Sequence, residues 1–147
     1  MKPIPARRPQ GGIILIEALI AILIFSMGIL AIIGLQAQSV RNSSEAKYRA
    51  DASFLANQII GHIWADRSNI ATYAHRPTGT VCTPTGSASG NTNVTQWLDG
   101  VSAVLPDAGT ARQSIAVDTT TNQVTVRLCW VSPTGQHNMS ITTRING

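Results

Sequence analysis

The fold of this chain is decided by the stretch Gly11-Gly12-Ile13-Ile14-Leu15-Ile16-Glu17 and by the apolar run that follows it to Leu35. Between residues 13 and 35, Glu17 is the only strongly polar side chain and Ser26 the only hydroxyl. A helix rises about 1.5 Å per residue, so this segment would be about 34 Å long. The hydrocarbon core of a bilayer is about 30 Å thick. The run therefore predicts a membrane-spanning helix.

Glu17 is the exception in this apolar run. A carboxylate at bilayer depth costs about 2.5–3.5 kcal/mol, so it is expected only where it gains a partner. If the peptide bond after Gly12 were cut, the new amine of Ile13 would lie four residues away. A helix cannot easily fold its own terminus back, so the better partner is the amine of a neighbouring copy. We therefore expect such helices to assemble side by side.

A basic leader precedes this helix and ends at Gly12. Together with Leu15-Ile16-Glu17, it resembles the cleavage and methylation signal of type IV prepilins and type II secretion pseudopilins. Those families usually read Gly and then Phe-Thr-Leu-Ile-Glu, and this chain has Ile13 and Ile14 where they have Phe and Thr. The resemblance implies that a prepilin peptidase cuts between Gly12 and Ile13 and methylates the Ile13 amine. It also implies that Glu17 acts in subunit assembly.

The position of the cleavage signal determines whether the apolar helix is removed or kept. An ordinary secretory signal is cut after its apolar region, whereas here the candidate site precedes it, so the helix stays with the mature chain. Three basic residues flank the helix on each side, at Lys2, Arg7 and Arg8 and at Arg41, Lys47 and Arg49. Because these counts balance, the periplasmic placement of the C-terminal part depends on the motif and the cysteines. The alternative is a plain single-pass anchor that is never processed.

Beyond Leu35 the apolar residues lie on one side of the predicted helix. They are Val40, Tyr48, Ala52, Leu55, Ile59 and Ile63. With no proline between Ile13 and Arg76, the pattern predicts one helix from about residue 14 to about residue 69. The expected organisation is a leader (1–12), a membrane and assembly half (13–35), an amphipathic continuation (36–70) and a periplasmic globular domain (71–147).

A second resemblance covers roughly the first 70 residues. Met27 to Gln36, with Gly34-Leu35-Gln36 at the end of the membrane part, and Asp66-Arg67-Ser68-Asn69 at the end of the helix are similar to the PilV group of minor pilins. Major pilins commonly carry a helix-breaking proline near the level of Gly34. Its absence here favours a minor component.

The distal part reads as loop, helix and strands. Residues 71–93 are rich in Thr, Gly, Ser, Pro and Asn and predict a surface loop. A short helix is predicted over 94–105, stopped by Pro106, with Trp97 in the core rather than serving as an adhesive aromatic. Alternation predicts strands at 113–118, 123–131 and 137–145. The expected fold class is α+β: a long N-terminal helix packed on a small, three- or four-stranded antiparallel meander, which is pilin-like.

Cys82 and Cys129 are the two cysteines. In a periplasmic domain such a pair most often forms a disulfide, which here would contribute about 4 kcal/mol in the chain-entropy model. Two cysteines do not make a zinc site, and His62, His75 and His137 lack the spacing of metal ligands. We therefore expect no metal and no cofactor.

Charge and motifs exclude two further classes of function. Without the leader, eight basic residues face seven acidic ones. This balance gives no reason to expect nucleic acid as a partner, because phosphate binding needs a clustered positive field. The chain has no Gly-x-Ser-x-Gly and no phosphate-binding loop, so an enzyme is not expected.

The resemblance implies a minor type IV pilin. It would wait in the bacterial inner membrane, meet the prepilin peptidase and the pilus assembly platform, and join other major and minor pilins in a filament at the cell surface. Assembly initiation, adhesion and twitching motility are the implied roles, with the loop 76–93 as a candidate adhesive surface. The alternatives are a minor pseudopilin of type II secretion and an unprocessed, signal-anchored periplasmic binding domain.

Overall fold

The computed structural model describes residues 11–146, and the first ten residues of the leader lie outside this range. The chain divides into two compact units between Ser43 and Ser44. The elements, in chain order, are helix α1 (Gly11–Ala65), a 3-10 helix (Arg67–Tyr73), strands β1 (Thr78–Thr80) and β2 (Thr83–Thr85), helix α2 (Thr92–Val104), a second 3-10 helix (Thr110–Arg112), and strands β3 (Ser114–Asp118), β4 (Gln123–Ser132) and β5 (Gly135–Arg144).

Helix α1 is continuous through Gly28 and Gly34, as the lack of proline predicts. Its predicted end near residue 69 is wrong, because the α-helix stops at Ala65 and 3-10 turns follow. The carboxylate of Asp66 accepts hydrogen bonds from Asn69 Nδ2 at 2.7 Å and from the Tyr73 hydroxyl at 3.2 Å. Side-chain bonds of this kind compete with regular helical geometry, which explains the earlier end.

In the first unit, the apolar side chains of α1 face outward. All sixteen large apolar residues between 13 and 35 are exposed. Ser26 carries the one hydroxyl group between residues 13 and 35. It donates to the carbonyl of Ile22 at 2.7 Å, so this polar group is satisfied within the helix. Among the described residues, one helix is long and apolar enough to cross a membrane, as judged by length and composition.

In the second unit, the predicted stripe of α1 forms one wall of the core. Ala52, Leu55, Ile59 and Ile63 are buried, and Tyr48 is half-buried against them. The prediction that Val40 belongs to this stripe is wrong, because its side chain is 66 % exposed. It precedes the second unit, which begins at Ser44 and holds the core that the stripe contacts.

The opposite wall is an antiparallel sheet in the order β3-β4-β5. Val126 at its centre lies opposite Ile115 on β3 and Ile141 on β5. The prediction of a meander is confirmed, with three strands. Strand β5 begins two residues earlier than predicted, because Ser132 pairs directly with Gly135 and leaves a tight two-residue turn.

The stretch 71–93 is not loop alone, which corrects the prediction. It contains the hairpin of β1 and β2, with Val81 and Cys82 at its turn. Gly79 is required there: its φ is +90°, and a Cβ would lie 2.6 Å from the carbonyl oxygen of Thr83.

Helix α2 begins two residues before its predicted start because Asn91 caps it, the Asn91 side chain accepting from the Asn93 N–H at 2.9 Å. Trp97 on α2 is buried, as predicted, and its Nε1–H donates to the carbonyl of Leu55 at 2.8 Å. This bond ties α2 to α1 inside the core. The structure therefore confirms the α+β class, a long N-terminal helix packed through its second half on a small antiparallel sheet.

Candidate functional site

The predicted processing and assembly residues lie together at the start of α1. Gly12 and Ile13 are in the first turns of the helix, and Ile13 is 65 % exposed. Glycine is about 1 kcal/mol less favourable than alanine in a helix, so Gly11 and Gly12 contribute less to helix stability than the apolar residues after them.

Glu17 lies one helical turn after Ile13. It has no hydrogen-bond or ion-pair partner among residues 11–146. Its neighbours on both sides along the chain are exposed apolar residues. The arrangement presents one carboxylate on an otherwise apolar surface, which suits binding of a single cation supplied by another molecule.

The predicted pair of cysteines is joined. Cys82 and Cys129 form a disulfide with a Cα–Cα distance of 5.5 Å. Cys82 is at the turn of the β1–β2 hairpin, and Cys129 is in the central strand β4. The bond therefore fixes the tip of this hairpin to the sheet.

The three histidines lie in three different elements of the fold. His62 is exposed on α1, His75 is buried at the start of the loop that leads to α2, and His137 is half-buried in β5. Within residues 11–146, no group of three or more His, Cys, Asp or Glu residues is placed to hold a metal ion.

A polar cluster that the sequence did not reveal joins α1 to the β4–β5 turn. The hydroxyls of Ser132 and Thr134 both donate to Oε1 of Glu45, Thr134 at 2.7 Å. Oε2 of Glu45 lies 3.3 Å from Nε2 of His137, whose ring stacks on Trp130 with centroids 5.7 Å apart. The two hydroxyl bonds are the main reason that the pKa of Glu45 is lowered from its ordinary value of 4.5.

The imidazole of His137 also contacts the two hydroxyl groups. Nε2 of His137 is 3.0 Å from Ser132 Oγ and 2.9 Å from Thr134 Oγ1. The two hydroxyl oxygens are themselves 2.8 Å apart, so the four side chains form one connected hydrogen-bond network. The cluster holds the β4–β5 turn against α1.

A second buried polar group was also missed. The side chain of Gln113 accepts from the Cys129 N–H at 2.9 Å and donates to the Cys129 carbonyl at 3.0 Å. The Gln113 side chain thus hydrogen-bonds the backbone of β4 at a position just before β3 begins, where no strand residue of β3 is opposite. A lone Gln at the start of a predicted strand carries no sequence signal for this role.

The loop 76–93, predicted as a candidate adhesive surface, borders an open cleft of about 700 Å³. The cleft lies between this loop and the segment after α1, and its lining is mostly polar, including Asp66, Thr72, Ser89 and Asn91.

No protein-family model matches the chain, and neither curated proteins nor solved structures show similarity to it.

Proposed function

We propose that this chain is a minor type IV pilin of the PilV kind, cut after Gly12, methylated at Ile13 and built into a filament through α1. The observation that carries the proposal is one carboxylate, Glu17, five residues after Gly12 on a helix whose apolar side chains are exposed. The leader, the glycine, the glutamate and the apolar run occur together at the spacing of the prepilin signal.

The exposed apolar surface of α1 is consistent with a helix that lies first in lipid and later against other protein helices. Full burial of one Leu, Ile, Phe or Met side chain contributes about 1.5–3 kcal/mol, and sixteen such side chains are exposed between residues 13 and 35. Lipid covers them while the protein waits in the inner membrane, and the helices of neighbouring pilins cover them in the filament.

Glu17 supports assembly rather than simple anchoring. A membrane anchor gains nothing from a carboxylate, which costs about 2.5–3.5 kcal/mol at bilayer depth. In a filament, the methylated amine of a neighbouring subunit supplies the missing charge. Because the pair forms only when amine and carboxylate meet, it also sets how far one helix is shifted along the next.

The uninterrupted helix supports a minor rather than a major subunit. Gly34 stands where major pilins commonly have a helix-breaking proline, and α1 continues through it. As a low-copy subunit, the protein would initiate assembly or sit at the pilus tip and so affect adhesion or twitching motility. At the tip, the loop 76–93 and its polar cleft would be the candidate adhesive surface. The prepilin peptidase, other pilins and the assembly platform of the inner membrane are its expected partners.

The test is incorporation of a Glu17→Ala variant into sheared filaments, in cells that assemble type IV pili. Removal of the carboxylate should leave insertion into the inner membrane unchanged and lower the amount in filaments at least about tenfold, since a lost ion pair in apolar surroundings costs more than 1.4 kcal/mol. Ser26→Ala is the matched control, because the Ser26 hydroxyl bonds only within its own helix. Normal incorporation of Glu17→Ala would contradict the proposal.

A further inference from the structure

His75 is held in place by the sheet and is almost fully enclosed, at 3 % exposure. Its backbone N–H donates to the carbonyl of Ile115 on β3 at 2.9 Å, and its own carbonyl accepts from the Ile115 N–H at 2.8 Å. The imidazole therefore has a fixed position at the start of the loop that leads to α2.

Both nitrogens of the ring are used. The backbone N–H of Ser89 points at Nδ1 across 3.2 Å, and Nε2 lies 3.3 Å from the carbonyl oxygen of Thr110. An N–H can only donate and a carbonyl can only accept, so Nδ1 carries the lone pair and Nε2 the hydrogen. The hydrogen bonds select the neutral ring in a single tautomer.

We propose that His75 is an acid-sensitive latch, and that protonation of Nδ1 releases the backbone amide of Ser89. The added proton would place two donors face to face across 3.2 Å, so the contact that joins Ser89 to the ring would be lost. The inference stands apart from the proposed filament role, because it concerns the second unit alone.

The release is confined to the Ser89 amide. The loop before it keeps the disulfide at Cys82 and the bond from the Arg76 N–H to the Ser87 carbonyl at 2.9 Å, and the Ser89 hydroxyl keeps its bond to the Thr72 carbonyl at 2.7 Å. After Ser89 comes Asn91, which caps α2 and whose N–H bonds to the Ser89 hydroxyl at 3.1 Å. Loss of the Ser89 contact therefore removes one of the bonds that hold the segment that borders the polar cleft and begins α2, while the side chains of Ser89 and Asn91 stay bonded to Thr72.

The charges around the ring are few. Arg76 and, on α2, Asp99 line the same cavity of about 220 Å³ as His75. On the side of Thr110, Arg112 and Asp107 pair with each other at 3.2 Å.

The environment favours the neutral ring. Burial lowers the pKa of His75 below its ordinary value of 6.5, the bond to the Thr110 carbonyl acts in the opposite direction, and the charge of Arg76 lowers the pKa further. The closed form thus binds fewer protons than the released form between the two pKa values. Acidification through about pH 6.5 therefore favours release. If the released ring has its ordinary pKa and the closed ring stays neutral, the opening equilibrium rises about tenfold from pH 7.5 to pH 5.5.

The experiment measures hydrogen exchange at the Ser89 amide by NMR, in the full chain in detergent micelles, at pH 7.5 and 5.5. After correction for the intrinsic exchange rate, protection of this amide should fall about tenfold in the wild type. In His75→Asn, the side-chain oxygen can still accept from Ser89 but does not titrate, so protection should not change with pH. His62→Gln, at an exposed histidine on α1, is the control and should behave as the wild type.

Equal protection at both pH values in the wild type would overturn the proposal, as would an equal fall in His75→Asn. If His75→Asn does not fold, NMR titration of the imidazole in the wild type decides. A midpoint below that of a free histidine, accompanied by the loss of Ser89 protection, supports the latch, and a midpoint at or above about 6.5 refutes it.

Discussion

Removal of the Cys82–Cys129 disulfide should destabilise the second unit by about 4 kcal/mol. The cysteines are 47 positions apart, and closing a loop of this length in the unfolded chain costs about 13.6 cal/mol/K in the chain-entropy model, or about 4 kcal/mol at 25 °C. The hairpin that the bond fixes has strands of only three residues. Such a hairpin is marginal by itself, so its amides should lose protection before the sheet unfolds.

Urea unfolding of the full chain in mild detergent measures this loss. The three tryptophans, Trp64, Trp97 and Trp130, all lie after Ser44, so their fluorescence reports on the second unit alone. With a urea m-value of about 1.5 kcal/mol/M, the midpoint should fall by about 2.7 M. Two samples distinguish the stability that the covalent cross-link contributes from the stability that packing of the sulfur atoms contributes. The reduced wild type keeps both sulfur atoms, and Cys82→Ala/Cys129→Ala lacks them.

Similar losses in both samples, each near 4 kcal/mol, would assign the effect to chain entropy. A loss below about 1 kcal/mol in the reduced wild type would refute the reasoning, because the open chain would then gain little freedom. A large loss in the double variant alone would assign the effect to packing at Cys129, which is fully buried.

Two further changes test polar groups of the second unit. Gln113→Leu leaves the N–H and carbonyl of Cys129 buried without their partner, so we expect a loss of about 3 kcal/mol in urea unfolding, and a loss below about 1 kcal/mol would contradict this. Glu45→Gln removes the charge that Ser132 and Thr134 stabilise. Because the folded-state pKa of Glu45 is lowered, its contribution is present above about pH 4.5 and is lost as the pH falls through the folded value. The difference in unfolding free energy between the wild type and Glu45→Gln should therefore be clear at pH 7 and smaller at pH 3. Equal differences at the two pH values would contradict this role of the Glu45 charge.

The parts of the fold that follow from local patterns were predictable. Helix α1 could be read from the absence of proline and from the spacing of Leu55, Ile59 and Ile63, which places them on one face. Strand β4 could be read from the alternation of Val124 and Val126, which point to the core. These signals lie within a few residues of one another along the chain.

The parts that depend on distant residues were not predictable. Glu45 and His137 are brought together across 92 positions by the packing of α1 on the sheet, and neither has a sequence context that indicates the other. The end of α1 depends on Tyr73 reaching back to Asp66. The β1–β2 hairpin depends on the disulfide and on a glycine at positive φ, inside a composition that is typical of irregular loops.

Processing of the N-terminus is the first step that every later role in a filament requires. The measurement is the intact mass and N-terminal sequence of the protein, expressed with and without a prepilin peptidase. We predict a mature chain that begins at N-methylated Ile13 only when the peptidase is present. An uncut chain in both cases would contradict the proposal, since α1 would then be a membrane anchor and Glu17 would lack the amine that assembly requires.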